Sequence, residues 1–109
     1  MEFQFFKLEI FVPASHFPAV QKALQECDAG HIGQYDSCLS YSEVKSCWRP
    51  LPGASPYDGT IGRLSYETEY RVEAVCRAGQ LDTALRAVKA AHPYEEPVIN
   101  VIPLYRTGL

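Results

Sequence analysis

The sequence predicts a single domain of the α/β (α+β) class, with the element order strand, helix, strand, strand, helix, strand. Three observations predict it: stretches in which apolar residues alternate, stretches in which they recur at helical spacing, and a proline- and glycine-rich loop between two similar halves. The chain has 109 residues, of which 47% are hydrophobic and 21% charged. That length and composition suit one packed domain over residues 1–109.

The first half contains a strand, a helix and a second strand. Apolar residues alternate with others over residues 3–12, which predicts the first strand. A helix follows, with Ser15 as its N-cap and Pro18 in the first turn, where a missing N–H group is harmless. Gly30 is the expected C′ residue of this helix. Residues 38–48 predict the second strand, although their apolar phase is poor.

The second half repeats this order after a long loop. Proline and glycine crowd residues 49–63, so this stretch is neither a helix nor an inner strand. Alternation over residues 64–76 predicts the third strand, and the spacing over residues 81–91 predicts the second helix. His92 must end that helix, because the following proline disfavours α geometry in the residue before it. Residues 98–105 predict the last strand.

This order is that of the ferredoxin-like βαββαβ fold, a four-stranded antiparallel sheet with two helices on one face. The other face should be polar if it meets water, yet Phe5 and Phe11 project from it, and the last strand is apolar on both sides. We therefore expect other copies of the chain to cover the helix-free face. The paired charges within that contact would come from Lys7, Glu9, Arg71 and Glu73.

Composition bears on the partners and the location of the protein. The net charge is −3 and the charges are interspersed, which excludes a basic face for nucleic acid. No apolar run approaches the ~20 residues of a membrane span, and no signal peptide is recognisable. Four cysteines without a CxxC pair suit reduced thiols in the cytoplasm.

Three separated motifs resemble a known family. They are Gly30-His31-Ile32-Gly33-Gln34-Tyr35, then Trp48-Arg49-Pro50-Leu51-Pro52-Gly53 through Gly59, and Ala91-His92-Pro93-Tyr94-Glu95-Glu96-Pro97. They are similar to the insert domain of the NGG-interacting-factor proteins, which are hexamers with a dinuclear metal centre. The last motif also resembles the CutA-like divalent-cation tolerance proteins. The resemblance implies a PII/CutA-like domain that associates as a trimer. It also implies that the metal ligands of the larger family lie in a flanking domain, so we do not transfer a hydrolase activity to this chain.

Two histidines are candidate ligands. His31 lies between two glycines after the first helix, where it serves a tight turn or projects as a binding imidazole. His92 ends the second helix, where the helix dipole would favour an imidazolium. A metal site formed by His31, His92 and Cys38 would suit zinc or copper as a divalent ion, although the spacing is not diagnostic.

Arg49 opens a loop that is long for a compact domain. An arginine beside glycine-rich backbone suits a phosphate or carboxylate, but the loop would equally serve to clasp a neighbouring subunit. We expect clefts between subunits to bind a metal ion or small anion. Their predicted ligand-binding residues are His31, Tyr35, Arg49, Tyr57, His92 and Glu95.

Nothing in the sequence points to catalysis. No serine lies in a GxSxG context, and the adjacent Glu95 and Glu96 would point to opposite faces of an extended segment. The sequence therefore predicts a non-enzymatic trimeric binding or regulatory module with an unknown ligand. The alternatives are a structural or assembly subunit that docks a partner protein, and a metal-dependent hydrolase, which rests on the larger family alone.

Overall fold

The computed structural model describes residues 2–108. Its main elements are β1 (Phe5–Pro13), α1 (Phe17–Glu26), β2 (Ser40–Trp48), β3 (Ser65–Arg77), α2 (Leu81–Ala91) and β4 (Ile99–Leu104). The strands form one antiparallel sheet in the spatial order β2-β3-β1-β4. Both the predicted element order and the ferredoxin-like arrangement are confirmed.

The core lies between one face of the sheet and the two helices. Alternate residues of β1 and β3 enter it, as the period of two predicts, and both helices contribute the apolar side of their surface. The largest side chains with less than 2% exposure are Leu8, Ile10, Val12, Val20, Leu24, Val72 and Val88. Each such burial stabilises the fold by about 1.5–3 kcal/mol before entropy is counted. Neither helix within residues 2–108 has the length and apolarity that a bilayer crossing requires.

Both predicted ends of α1 need correction. A short 3₁₀ turn precedes the helix, so His16 occupies the N-cap position and no side chain caps the first turn. Ser15 lies within that 3₁₀ turn, and its hydroxyl contacts Nδ1 of His16 at 2.8 Å. At the other end Cys27 is the C-cap, and Asp28 takes the left-handed conformation with φ of 57°. Gly30 is also left-handed, with φ of 84°, but it lies beyond the cap.

The helix-free face carries the mixture of apolar and charged residues that the sequence predicts. Lys7 Nζ lies 3.0 Å from Glu73 Oε2, and Arg71 Nε lies 3.4 Å from Glu73 Oε1. Asn100 Nδ2 donates to Glu9 Oε1 at 2.9 Å. These polar contacts therefore form within one chain, across β3, β1 and β4. Ile102 stays 36% exposed on this face.

Candidate ligand-binding site

A cavity of about 610 Å³ opens on the helix-free side of the sheet, a volume typical of small-molecule sites. Its floor comes from the sheet, through Phe11, Trp48 and Glu69. The loop of residues 49–64 and the segment of residues 92–98 form its walls. The cavity thus lies where the two halves of the chain meet.

Hydrogen bonds hold the proline-rich loop against the sheet. Trp48 Nε1 donates to the Asp58 carbonyl at 3.1 Å, and the Gly62 N–H donates to the Pro50 carbonyl at 2.8 Å. The Ser55 N–H donates to Glu95 Oε2 at 2.9 Å, which joins the two walls. These bonds fix a loop that has no helix or strand of its own.

Aromatic rings line much of the cavity, with Tyr94 at their centre. Its ring centroid lies 5.6 Å from that of Trp48 and 6.0 Å from that of Tyr57. The rings meet at 51° and 45°, so they are tilted towards one another rather than stacked flat. Phe11 adds a further ring to the lining.

Glu69 is a carboxylate buried at the base of these rings, with 4% of its surface exposed. The Tyr94 hydroxyl donates to it, and burial together with this carboxylate raises the pKa of Tyr94 well above its ordinary value. The sequence pattern does not distinguish Glu69 from the other charged residues of β3 that alternate with core residues. Only the path of the loop buries it, and no local pattern encodes that path.

His92 is buried behind Tyr94 and does not line the cavity. Its Nε2–H donates to the Phe11 carbonyl at 2.6 Å, and its Nδ1 accepts the Tyr94 N–H at 3.2 Å. A neutral ring satisfies both bonds. Burial lowers the pKa of His92, which opposes the imidazolium that the helix dipole would favour.

His31 lies at the other end of the sheet. Its Nδ1 is 2.9 Å from Asp28 Oδ1, and Asp28 Oδ2 is 3.4 Å from a guanidinium nitrogen of Arg77. β1 pairs with Arg77 at Phe5, whereas His92 binds the carbonyl of Phe11, six positions further along. At about 3.4 Å per residue, roughly 20 Å of strand separates the two sites.

The predicted metal ligands therefore do not converge within one chain. Cys38 lies on the His31 side, since its N–H donates to the Gly30 carbonyl at 2.9 Å. Among residues 2–108, no group of three or more His, Cys, Asp or Glu side chains is placed to hold a metal ion. The hydrogen bonds to Asp28 and Gly33 instead raise the pKa of His31.

The six predicted ligand-binding residues divide between these two ends. Arg49, Tyr57 and Glu95 line the cavity, and His92 positions one of its rings. His31 and Tyr35 lie in the turn after α1, where the Tyr35 and Ile32 main chains bond to each other. The structure thus brings residues of the second and third motifs together at the cavity. It places those of the first motif at the other end of the sheet.

Comparison with known proteins reveals relatives much longer than this chain. No family model matches. The chain is 36% identical over 103 residues to a GTP cyclohydrolase 1 type 2 homolog of Halalkalibacterium halodurans, a match covering 94% of the chain and 28% of that protein. A homolog of the same name from Mycobacterium leprae is 43% identical over 98 residues, covering 90% of the chain and 26% of that protein. The chain therefore spans about a quarter of the length of these relatives.

Solved structures give the same result. A Bacillus cereus protein related to NIF3, the NGG-interacting factor, superposes with a TM-score of 0.83 and 35% identity over 95% of this chain and 26% of that chain. The CutA protein of Archaeoglobus fulgidus superposes with a TM-score of 0.69 and 22% identity, over 94% of this chain and 86% of that one. The latter likeness shows the fold alone. The chain is thus related to the NGG-interacting-factor proteins and corresponds to their PII/CutA-like domain.

Proposed function

We propose that the chain is a non-enzymatic binding module that works as a trimer and takes a small ligand in the cavity beneath the proline-rich loop. The observation that carries the proposal is the cavity itself, which has a ligand-sized volume, aromatic walls and a few polar groups. Arg49 lines it without a salt bridge among the residues described, and so is free to contact a ligand. The four free thiols fit a reducing compartment, where we place the protein.

The trimer is supported by the helix-free face. Val98 both lines the cavity and is exposed beside β4, so the mouth of the cavity and the apolar face are continuous. A neighbouring subunit that covers this face would also border the mouth, as a cleft between subunits requires. The resemblance to PII/CutA-like domains, which implies a trimer, supports the same arrangement.

Thermal shift with a ligand panel tests the binding role. The panel contains divalent metal ions, carboxylates, nucleotides and organic amines, each on the purified chain. A ligand at about 100 times its Kd should add roughly 2.7 kcal/mol to the free energy of unfolding. Tyr57→Ala should remove the shift, because this residue lines the cavity, whereas Tyr35→Ala should retain it. Silence across the panel, or equal loss in both variants, would contradict the proposal.

A structural or assembly role is the second candidate, favoured by large apolar side chains outside the cavity. Leu64 and Tyr66, near the start of β3, are exposed and do not line it. A docked partner protein would cover them. In that case Arg49→Ala and His92→Ala would change the oligomer mass in sedimentation and would leave ligand response absent.

The resemblance to the larger family supplies a third candidate, a metal-dependent hydrolase, and the curated relatives are named as homologs of a GTP cyclohydrolase. This chain corresponds to about a quarter of those proteins, so their activity is not assigned to it. Metal-dependent hydrolytic opening of the GTP purine ring by the purified chain, lost in His31→Ala, would place this candidate first.

A further inference from the structure

The charges around the cavity indicate which class of ligand it takes, provided that the cavity binds a ligand as proposed above. One cationic side chain lines it, that of Arg49, against the four carboxylic residues Asp58, Glu69, Glu95 and Glu96. An anion would meet this excess of negative charge. A small anion is one of the ligands expected from the sequence. This cavity disfavours it, although Arg49 lines the cavity.

A neighbouring carboxyl group, that of Glu67, responds to the negative charge at the cavity. Asp58, which lines the cavity, raises the pKa of Glu67 through its negative charge and a side-chain hydrogen bond. The charge of Asp58 disfavours the ionised form of Glu67, because two negative charges repel. A cation entering the cavity would relieve that repulsion.

The walls distinguish an organic cation from a metal ion. A hard metal ion needs several converging oxygen ligands, and no group of three suitable side chains is found in the described part of the chain. Tyr94, Trp48 and Tyr57 instead present tilted aromatic surfaces around the cavity. Rings beside a carboxylate are the chemistry that recognises alkylated ammonium groups, since the ring faces attract the charge and the alkyl groups lose water.

The geometry points to an organic ammonium ligand, whose positive headgroup packs against the aromatic surface formed by Trp48, Tyr57 and Tyr94 with its charge directed at Glu69. Glu69 suits this role because it is buried beneath the rings and already accepts a bond from Tyr94. The volume of about 610 Å³ accommodates a ligand considerably larger than the headgroup alone.

Four small probes test the inference by NMR titration of the wild-type chain. Choline and 3,3-dimethylbutan-1-ol have the same shape and differ in the positive charge, and glycine betaine and 3,3-dimethylbutanoate form a second such pair. We expect each cationic-headgroup probe to bind about tenfold or more tightly than its uncharged-headgroup partner. Equal affinities, or binding by 3,3-dimethylbutanoate alone, would overturn the inference without contradicting the proposed role as a binding module. Silence from all four, with a response elsewhere in the ligand panel, would also overturn it.

Variants locate the headgroup. Glu69→Gln should weaken choline about tenfold and leave 3,3-dimethylbutan-1-ol unchanged, whereas Glu43→Gln, an exposed change on the opposite face, should alter neither. Trp48→Leu provides a second test if the buried Gln unfolds the chain, with Tyr66→Leu as its aromatic control outside the cavity. Undiminished choline binding in folded Glu69→Gln or Trp48→Leu would place the headgroup elsewhere and overturn the assignment.

Discussion

The two motif histidines have opposite protonation preferences because their surroundings differ. His92 is buried and uses both ring nitrogens as a neutral imidazole, so its pKa is lowered. His31 is exposed and hydrogen-bonded to Asp28, so its pKa is raised. Protonation on acidification is therefore disfavoured in the surroundings of His92 and favoured in those of His31.

The pH dependence of stability should separate the two histidines. A lowered folded-state pKa gives stability that is present above the unfolded value of about 6.5 and lost as pH falls through the folded value. His92→Gln should therefore flatten the fall in the free energy of unfolding between pH 7.5 and 5.5, by up to about 1.4 kcal/mol per pH unit. Chemical denaturation at several pH values measures this slope.

His31→Gln is the control of opposite sign. Its raised folded-state pKa gives stability that is present below about pH 6.5 and lost as pH rises through the folded value. Removing His31 should therefore make the fall on acidification slightly steeper, by a small amount because the ring is exposed. Identical slopes in the wild type and both variants would contradict these assignments.

At the scale of elements, the turn after α1 depends on Gly30. Its N–H donates to the Val75 carbonyl at 2.8 Å, which ties the turn to β3. Its φ is 84°, and an added Cβ would collide with the main-chain carbonyl of Cys38. Gly33 is also left-handed, with φ of 58°, but the space beside it is open. A comparison of the two positions therefore separates the cost of left-handed backbone from the cost of steric overlap.

Gly30→Ala should destabilise the fold more than Gly33→Ala. The control carries only the left-handed cost of about 1–2 kcal/mol. Gly30→Ala adds an overlap with backbone that cannot move independently, which we expect to cost about 1–3 kcal/mol more. Urea denaturation gives both values. Equal destabilisation would show that the turn relaxes around the added methyl group.

Some of these elements, and part of the site, can be predicted from the sequence. β1, β3 and α2 follow from apolar period, because each buries one side against a continuous core. The cap at Ser15 could not be located, since a 3₁₀ turn shifts the start of α1 and period does not encode that shift. For the site, the sequence predicts Arg49, Tyr57 and Glu95 as ligand-binding residues, and all three line one cavity. The burial of Glu69 depends instead on a loop path set by distant hydrogen bonds.

The molecule as a whole presents a sheet with two unlike faces. One face is sealed by the helices, and the other combines partly exposed apolar side chains with charges already paired inside the chain. Paired charges enter an interface at lower desolvation cost than unpaired ones. This face is therefore suited to contact with sister subunits.

Adjacent residues of β4 test that assembly. Ile102 lies on the helix-free face and Val101 on the opposite one, and both are 36% exposed. Ile102→Glu should lower the mass from trimer to monomer in analytical ultracentrifugation, because it would bury an unpaired carboxylate between subunits. Val101→Glu should leave the trimer intact. A monomeric wild type, or loss of assembly in both variants, would refute the proposed interface.

The chain contains one tryptophan, and that residue lines the floor of the cavity with its indole N–H bonded to the loop. Its fluorescence emission therefore originates from a single place, the one where solvent, the loop and an incoming molecule meet. Changes in tryptophan fluorescence would therefore report occupancy of the cavity without any dye or engineered label.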